Sequence, residues 1–323
     1  PGSFDRHPFS ITLGENVRHR FMTYCTPGRG AMLAVQIITL CAVAACGRTD
    51  TGPVEEEQTA AVENVEAMAR EHAEDTAEPS EAALVEPQRE VTAERLAYAE
   101  VDDEVVYGHF AFPSNMIEPL PAVIMIHEWW GLNDNIRAMA ERLAAEGYIV
   151  LAVDLFGGDV ATTPGAARQL MMQAVENRDS VTSNIEQAYA FVSDTAGAPR
   201  VASLGWCFGG GWSLSTAMLF PEDLDAAVIY YGQVTDDEDR LSPVEVPILG
   251  LFGSEDSGIK LESVQRFEGA LERLGKDFEI QVYDGAGHAF ANPSGRNFNA
   301  EYAEDAWNRT LRFLSDHLAA DSG

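Results

Sequence analysis

Lysine is nearly missing from this sequence: of 21 basic residues among 323, only Lys260 and Lys276 are lysines, against 52 acidic residues. A formal net charge of -31 repels phosphate backbones, so no nucleic-acid partner is expected. The imbalance reads first as a whole-proteome habit of salt-adapted or GC-rich organisms, with an acidic binding surface as the alternative. Cysteine is scarce as well. Cys25, Cys41, Cys46 and Cys207 show neither regular spacing nor a C-x-x-C pair, which excludes a disulfide framework and a zinc knuckle. No apolar run reaches the roughly twenty residues that a membrane-spanning helix needs. With 46% hydrophobic residues the chain can still bury a large core.

Charge divides the chain into three regions. Residues 1–49 carry two acids and five arginines; residues 50–99 carry fourteen acids and three arginines. The start, Pro1-Gly2-Ser3, reads as an over-extended reading frame or a cloning remnant, and residues 1–21 are set aside. Residues 32–45, MLAVQIITLCAVAA, are apolar apart from Gln36 and Thr39 and follow Arg29. They match the apolar centre of a secretory signal. The run ends Val43-Ala44-Ala45-Cys46, which resembles the lipobox of bacterial lipoproteins and implies lipidation of Cys46. A buried core helix is the alternative. Residues 1–46 are thus expected to be a non-native start and a signal, and the membrane to be reached only through the Cys46 lipid, at the cell envelope. Residues 47–95 contain no aromatic residue and are rich in glutamate and alanine, and they cannot bury enough apolar area to offset ordering entropy. They are expected to be a disordered acidic tether, with at most a transient helix near residues 60–73.

From residue 96 to 323 the texture changes. Short apolar strands are expected at residues 105–113, 122–126, 148–153, 200–204, 226–231, 247–252 and 278–283, with amphipathic helices at 135–145, 182–195, 211–219, 263–274 and 301–317. Near-continuous apolar strands alternating with helices predict an α/β fold, a mostly parallel sheet covered on both faces in one domain. Functional residues then belong just beyond the carboxyl ends of the strands.

Three such positions carry chemistry. Gly205-Trp206-Cys207-Phe208-Gly209 lies between a strand and an apolar helix, the setting of a nucleophile on a sharp turn, with cysteine in place of serine. Asp256 follows the strand at 247–252 and His288 follows the last strand. Nucleophile, acid, histidine is the order of an α/β-hydrolase triad, in which His288 would move the proton and Asp256 would fix its tautomer; Glu255 is the alternative acid. A fourth position, His127-Glu128-Trp129-Trp130-Gly131, fails as a zinc motif because H-E-x-x-H needs a histidine at position 131. No metal or other cofactor is expected.

HEWWGLN at 127–133, Asp154-Leu155-Phe156, the Cys207 turn, the Asp256 loop and GAGHAF at 285–290 together resemble the dienelactone hydrolase family, from about residue 105 to the last helix. The resemblance implies the α/β-hydrolase fold and hydrolysis of a small lactone or ester. It implies Cys207, Asp256 and His288 as triad, Glu128 as the carboxylate that deprotonates the cysteine when substrate arrives, and the Trp129 and Phe208 amides as oxyanion hole. For Glu128 a plain loop-backbone contact is the alternative. Trp130 and Asn292 are expected in the substrate pocket. Members that bind an anionic lactone hold it with arginines, one of them four residues after the histidine. Here that residue is Asn292, with Arg296 the nearest arginine, and Arg168 is the first after the Asp154 region. Neutral substrates are therefore expected. The rival reading is a lipid-anchored envelope binding protein that keeps the fold without catalysis.

Overall fold

The computed structural model describes residues 53–75 and 87–319. The expected signal segment and Cys46 lie outside the described residues. Eight strands form one sheet in the order β1-β2-β4-β3-β5-β6-β7-β8: β1 Val91–Val101, β2 Glu104–Pro113, β3 Ala122–Ile126, β4 Ile149–Val153, β5 Val201–Trp206, β6 Ala226–Tyr230, β7 Ile248–Gly253 and β8 Phe278–Tyr283. Strands β3 to β8 pair in parallel, while β1 and β2 form an antiparallel hairpin added along β4. The hairpin turns on Asp102 and Asp103, both at positive φ, which matches the twist of the flanking strands.

Every residue of β3, β4, β5, β6 and β7 is buried, as expected of strands covered on both faces. The covering helices are α1 Pro53–Glu71, α2 Asp134–Ala145, α3 Pro164–Glu176, α4 Arg178–Ala190, α5 Phe208–Leu219, the short α6 Glu238–Leu241, α7 Leu261–Leu274 and α8 Ala300–Leu318. Their starts follow local chemistry. Asn133 accepts from the Ile136 amide to cap α2, Thr163 accepts from the Ala166 amide to cap α3 with Pro164 at its first position, and Asn299 accepts from the Tyr302 amide to cap α8. Among the described residues no helix is long and apolar enough to cross a membrane.

Two departures from the sequence reading stand out. The domain does not begin at residue 96, because β1 starts at Val91. The expected tether is not a spacer over its described part: residues 53–71 are helical, and Val65, Met68, His72 and Asp75 are buried. The physical reason is that those four residues recur at three- and four-residue spacing, so the helix and the turn after it put them on one stripe while Glu63 faces water. Fully burying side chains such as Val65 and Met68 contributes roughly 1.5–3 kcal/mol each, enough to hold a short helix that propensity alone would not.

Candidate active site

The turn after β5 places Cys207. Cys207 has φ 55° and ψ -115°, a conformation costly for a residue with a Cβ, and its amide donates to Tyr230 O at 3.0 Å while its carbonyl accepts from the amides of Gly210 and Gly211. The tight turn requires glycine on either side. A Cβ on Gly205 would collide with Gly209 O, and one on Gly209 would collide with the carbonyls of Ile126 and His127. This close approach brings the start of α5, with the Phe208 amide, against the loop that carries Trp129.

His127 shapes that loop. Its Nε2 accepts from the Leu155 amide at 3.1 Å, so Nδ1 carries the proton and donates to Glu128 O at 2.6 Å. It is a buried structural histidine. Glu128 is also buried, but its partners are not loop backbone. Asn292 Nδ2 donates to Oε2 at 2.6 Å and the Tyr231 hydroxyl to Oε1 at 3.4 Å. Burial, followed by the nearby Cys207 charge, pushes the Glu128 carboxyl up to about 7. Trp129 is fully buried with its ring 4.9 Å from that of Trp130.

His288 arrives from the loop after β8, and its Nδ1 donates to Asp256 Oδ2 at 2.7 Å with both side chains buried. Asp256 is fixed in turn, since Oδ1 accepts from the amides of Gly258 and Ile259 at 2.8 and 2.7 Å. Among the described residues His288 Nε2 has no hydrogen-bond partner, and it lies within 4.8 Å of the Cys207 sulfur. The three expected triad residues therefore converge.

A second histidine converges with them. His72, just after α1, has Nε2 3.8 Å from Cys207 Sγ and its Nδ1 donating to Asp75 Oδ2 at 2.7 Å. Its ring stacks on Trp129 at 4.7 Å and meets His288 edge-on at 5.1 Å. Met68 Sδ lies 3.5 Å from Cys207 Sγ. Burial pushes the Cys207 thiol up, but His288 and then His72 more than offset this and bring it down to about 6. Burial likewise depresses His72, and the Asp75 hydrogen bond followed by Cys207 raises it to about 9. His288 follows the same pattern and is raised well above its ordinary value by Asp256 and Cys207 against burial. A thiolate flanked by two imidazoliums, each backed by a carboxylate, is the ionic state these contacts favour.

His72, Cys207 and His288 are also the one described set of three donors close enough to hold a metal ion, with their ligand atoms within 4.8 Å of one another. Two imidazoles oriented by carboxylates and one sulfur suit a thiophilic cation such as Zn2+, whose capture would occupy the nucleophile.

A cavity of about 580 Å³ opens onto Cys207, walled by Asn64, Val65 and Met68 of α1 and by Met171, Trp212 and Val234 opposite. Trp130 and Asn292 are not among its lining residues: Trp130 is packed on Trp129, and the Asn292 amide is engaged with Glu128. Nor do the arginines considered from the sequence face it. Arg168 pairs with Glu66 of α1, and Arg296 pairs with Glu74 while its amide donates to Asp75. Arg178 and Arg240 do line the cavity, beside Asp237. Sequence reasoning missed His72 and Asp75, although the i, i+3, i+7 recurrence of Val65, Met68 and His72 was a signal for a buried helical face.

A cysteine on a strained strand-to-helix turn, a carboxylate-held histidine and this strand order mark the α/β-hydrolase fold. The model of the dienelactone hydrolase family matches residues 106–318, and the chain belongs to that family. It is a lactone- and ester-hydrolase fold member by this kinship. Among its relatives, a candidate carboxymethylenebutenolidase of Saccharolobus solfataricus is 31% identical over 258 residues, covering 68% of this chain and 98% of the relative. One of Escherichia coli K12 is 32% identical over 244 residues, covering 67% of this chain and 89% of the relative. The crystal structure of a candidate dienelactone hydrolase from Klebsiella pneumoniae superposes with a TM-score of 0.64 at 27% identity, covering 70% of this chain and 99% of that one.

Proposed function

We propose that the protein hydrolyses a small carboxylic ester or lactone through a cysteinyl acyl-enzyme. The observation that supports this reading best is the convergence of Cys207, at positive φ, with a His288 whose tautomer Asp256 fixes at 2.7 Å. The Cys207 thiolate attacks the carbonyl carbon, a C–S bond forms, and the π electrons move to oxygen. The amides of Trp129 and Phe208 receive that oxyanion; each such donor contributes about 3 kcal/mol to the transition state. Collapse breaks the C–O bond, and the leaving alkoxide takes the proton from His288 Nε2. Neutral His288 then takes a proton from water, the resulting hydroxide adds to the thioester, and the acid departs as the thiolate is regenerated. The acyl part of the substrate sits among Met171, Trp212 and Val234, and Asn64 Oδ1, without a hydrogen-bond partner among the described residues, offers it an acceptor. The test is a burst of phenol from an activated aryl ester, equal in amplitude to the enzyme. Cys207→Ala is expected to remove the burst and at least about a thousandfold of turnover. A wild-type protein without burst or turnover would leave the binding-protein reading in its place.

The second part of the proposal is that Cys46 carries a lipid that anchors the protein at the bacterial cell envelope, supported by the fourteen-residue run at 32–45 that ends Val43-Ala44-Ala45 directly before Cys46. Metabolic labelling with a fatty-acid analogue is expected to mark the wild type and to miss Cys46→Ser.

A further inference from the structure

The family match begins at residue 106, and each group that forms a bond, moves a proton or receives the oxyanion in the reaction above lies within it. His72 does not. We infer that His72, held by Asp75, is a further catalytic residue of this site: an imidazolium that keeps Cys207 ionised before substrate arrives and catches its sulfur when it leaves the thioester. The inference rests on the acyl-enzyme reading and assigns to His72 the activating role that family resemblance would give to Glu128.

The geometry argues for it on three counts. The Asp75 bond occupies Nδ1 and aims the other nitrogen at the nucleophile, the same arrangement in which Asp256 presents His288. The ring cannot turn away, because it is buried between Trp129 and His288 and Asp75 is itself tied to the Arg296 amide. And Glu128 is poorly placed to act as the resting base, since both its oxygens already accept bonds from Asn292 and Tyr231, while no bond to the thiol accompanies them.

Charge accounting agrees. A buried imidazolium pair would repel, but here the anions Cys207, Asp75 and Asp256 alternate with the cations His72 and His288, while burial and then the Cys207 charge push Glu128 towards its neutral form. Arg296 faces Asp75 from the loop after β8 and Tyr231 faces Glu128 from the end of β6. The proton balance is simple. The thiol proton moves to an imidazole in the resting enzyme and its electron pair stays on sulfur. His288 then spends and recovers one proton per turnover, whereas His72 keeps its own throughout and acts by donating N–H to sulfur.

The experiment compares full-chain His72→Gln, His72→Gly, Glu128→Gln and wild type, reading the ultraviolet absorbance of the Cys207 thiolate against a Cys207→Ala blank across pH. The wild-type thiol is expected to titrate near pH 6. In His72→Gln the midpoint should rise by about one unit or more, leaving roughly tenfold less thiolate at low pH, with kcat/KM falling in step and KM little changed. Added imidazole should restore thiolate and turnover to His72→Gly, which a variant with a damaged fold would not show. The same thiolate titration in His72→Gln as in wild type, a larger shift in Glu128→Gln, or a gain in kcat/KM on losing the histidine would overturn the inference. The underlying reaction fails separately, by absence of the aryl-ester burst in wild type.

Discussion

Asn292 stands where relatives that bind an anionic lactone are expected to have arginine, and it serves the interior instead. Its side chain is 5% exposed and donates to a carboxylate that burial has already pushed up. Asn292→Ala removes the shorter of that carboxylate's two bonds and should cost about 1–3 kcal/mol in denaturant unfolding, the penalty of a buried acceptor losing its donor. Asn292→Arg is expected to lower stability as well, and not to recruit carboxylated substrates. The ionisation of the site makes a second prediction. The reactive thiolate is present above about pH 6, and the His72 proton is lost as pH rises through about 9, so kcat/KM should rise through the first and decline through the second. In His72→Gln the acidic limb should move to higher pH. A third concerns metal: Zn2+ should inhibit wild type at concentrations about 10–100-fold lower than it inhibits Asp75→Asn, where His72 loses the carboxylate that aims it.

At the scale of elements, α1 is held by a stripe of few residues and should be separable from the sheet. Val65→Asp places a carboxylate where 1% of the side chain is exposed, and α1 is expected to undock while the sheet stays folded. Trypsin should then cut after Arg70 about tenfold faster, read by gel or mass spectrometry. The contrast between α1 and the sheet also explains what the sequence could disclose. β3, residues Ala122–Ile126, is legible because five consecutive apolar residues between turns leave few other structures. Cys207 is legible because its glycines are dictated by collisions of neighbouring backbone, a constraint that acts within a few residues. The packing of His72 against Trp129 joins positions far apart in the chain, and its own surroundings are glutamate and alanine. Local composition there favours a solvated helix, and only tertiary burial decides otherwise. β1 escaped for a similar reason: Val91–Val101 carries Glu94 and Arg95 mid-strand, which an edge strand tolerates on its solvent side.

For the molecule as a whole, a net charge of -31 surrounds a cavity whose wall includes Arg178 and Arg240. The long-range field repels an anionic substrate that the near wall does not, and salt screens the former over about 8 Å at physiological strength. With a matched pair of esters, kcat/KM for the carboxylated member should therefore climb with ionic strength while that of the neutral member stays level. The placement of α1 carries a last consequence. In the sequence, residues 76–90 join His72 to the sheet that holds Cys207. While that link is whole, the imidazole is presented to the sulfur at an effective concentration on the order of millimolar, whatever the protein's own concentration. Cut there by a protease, the enzyme becomes two pieces whose association obeys mass action, and its specific activity should begin to fall on dilution where the intact chain's would not.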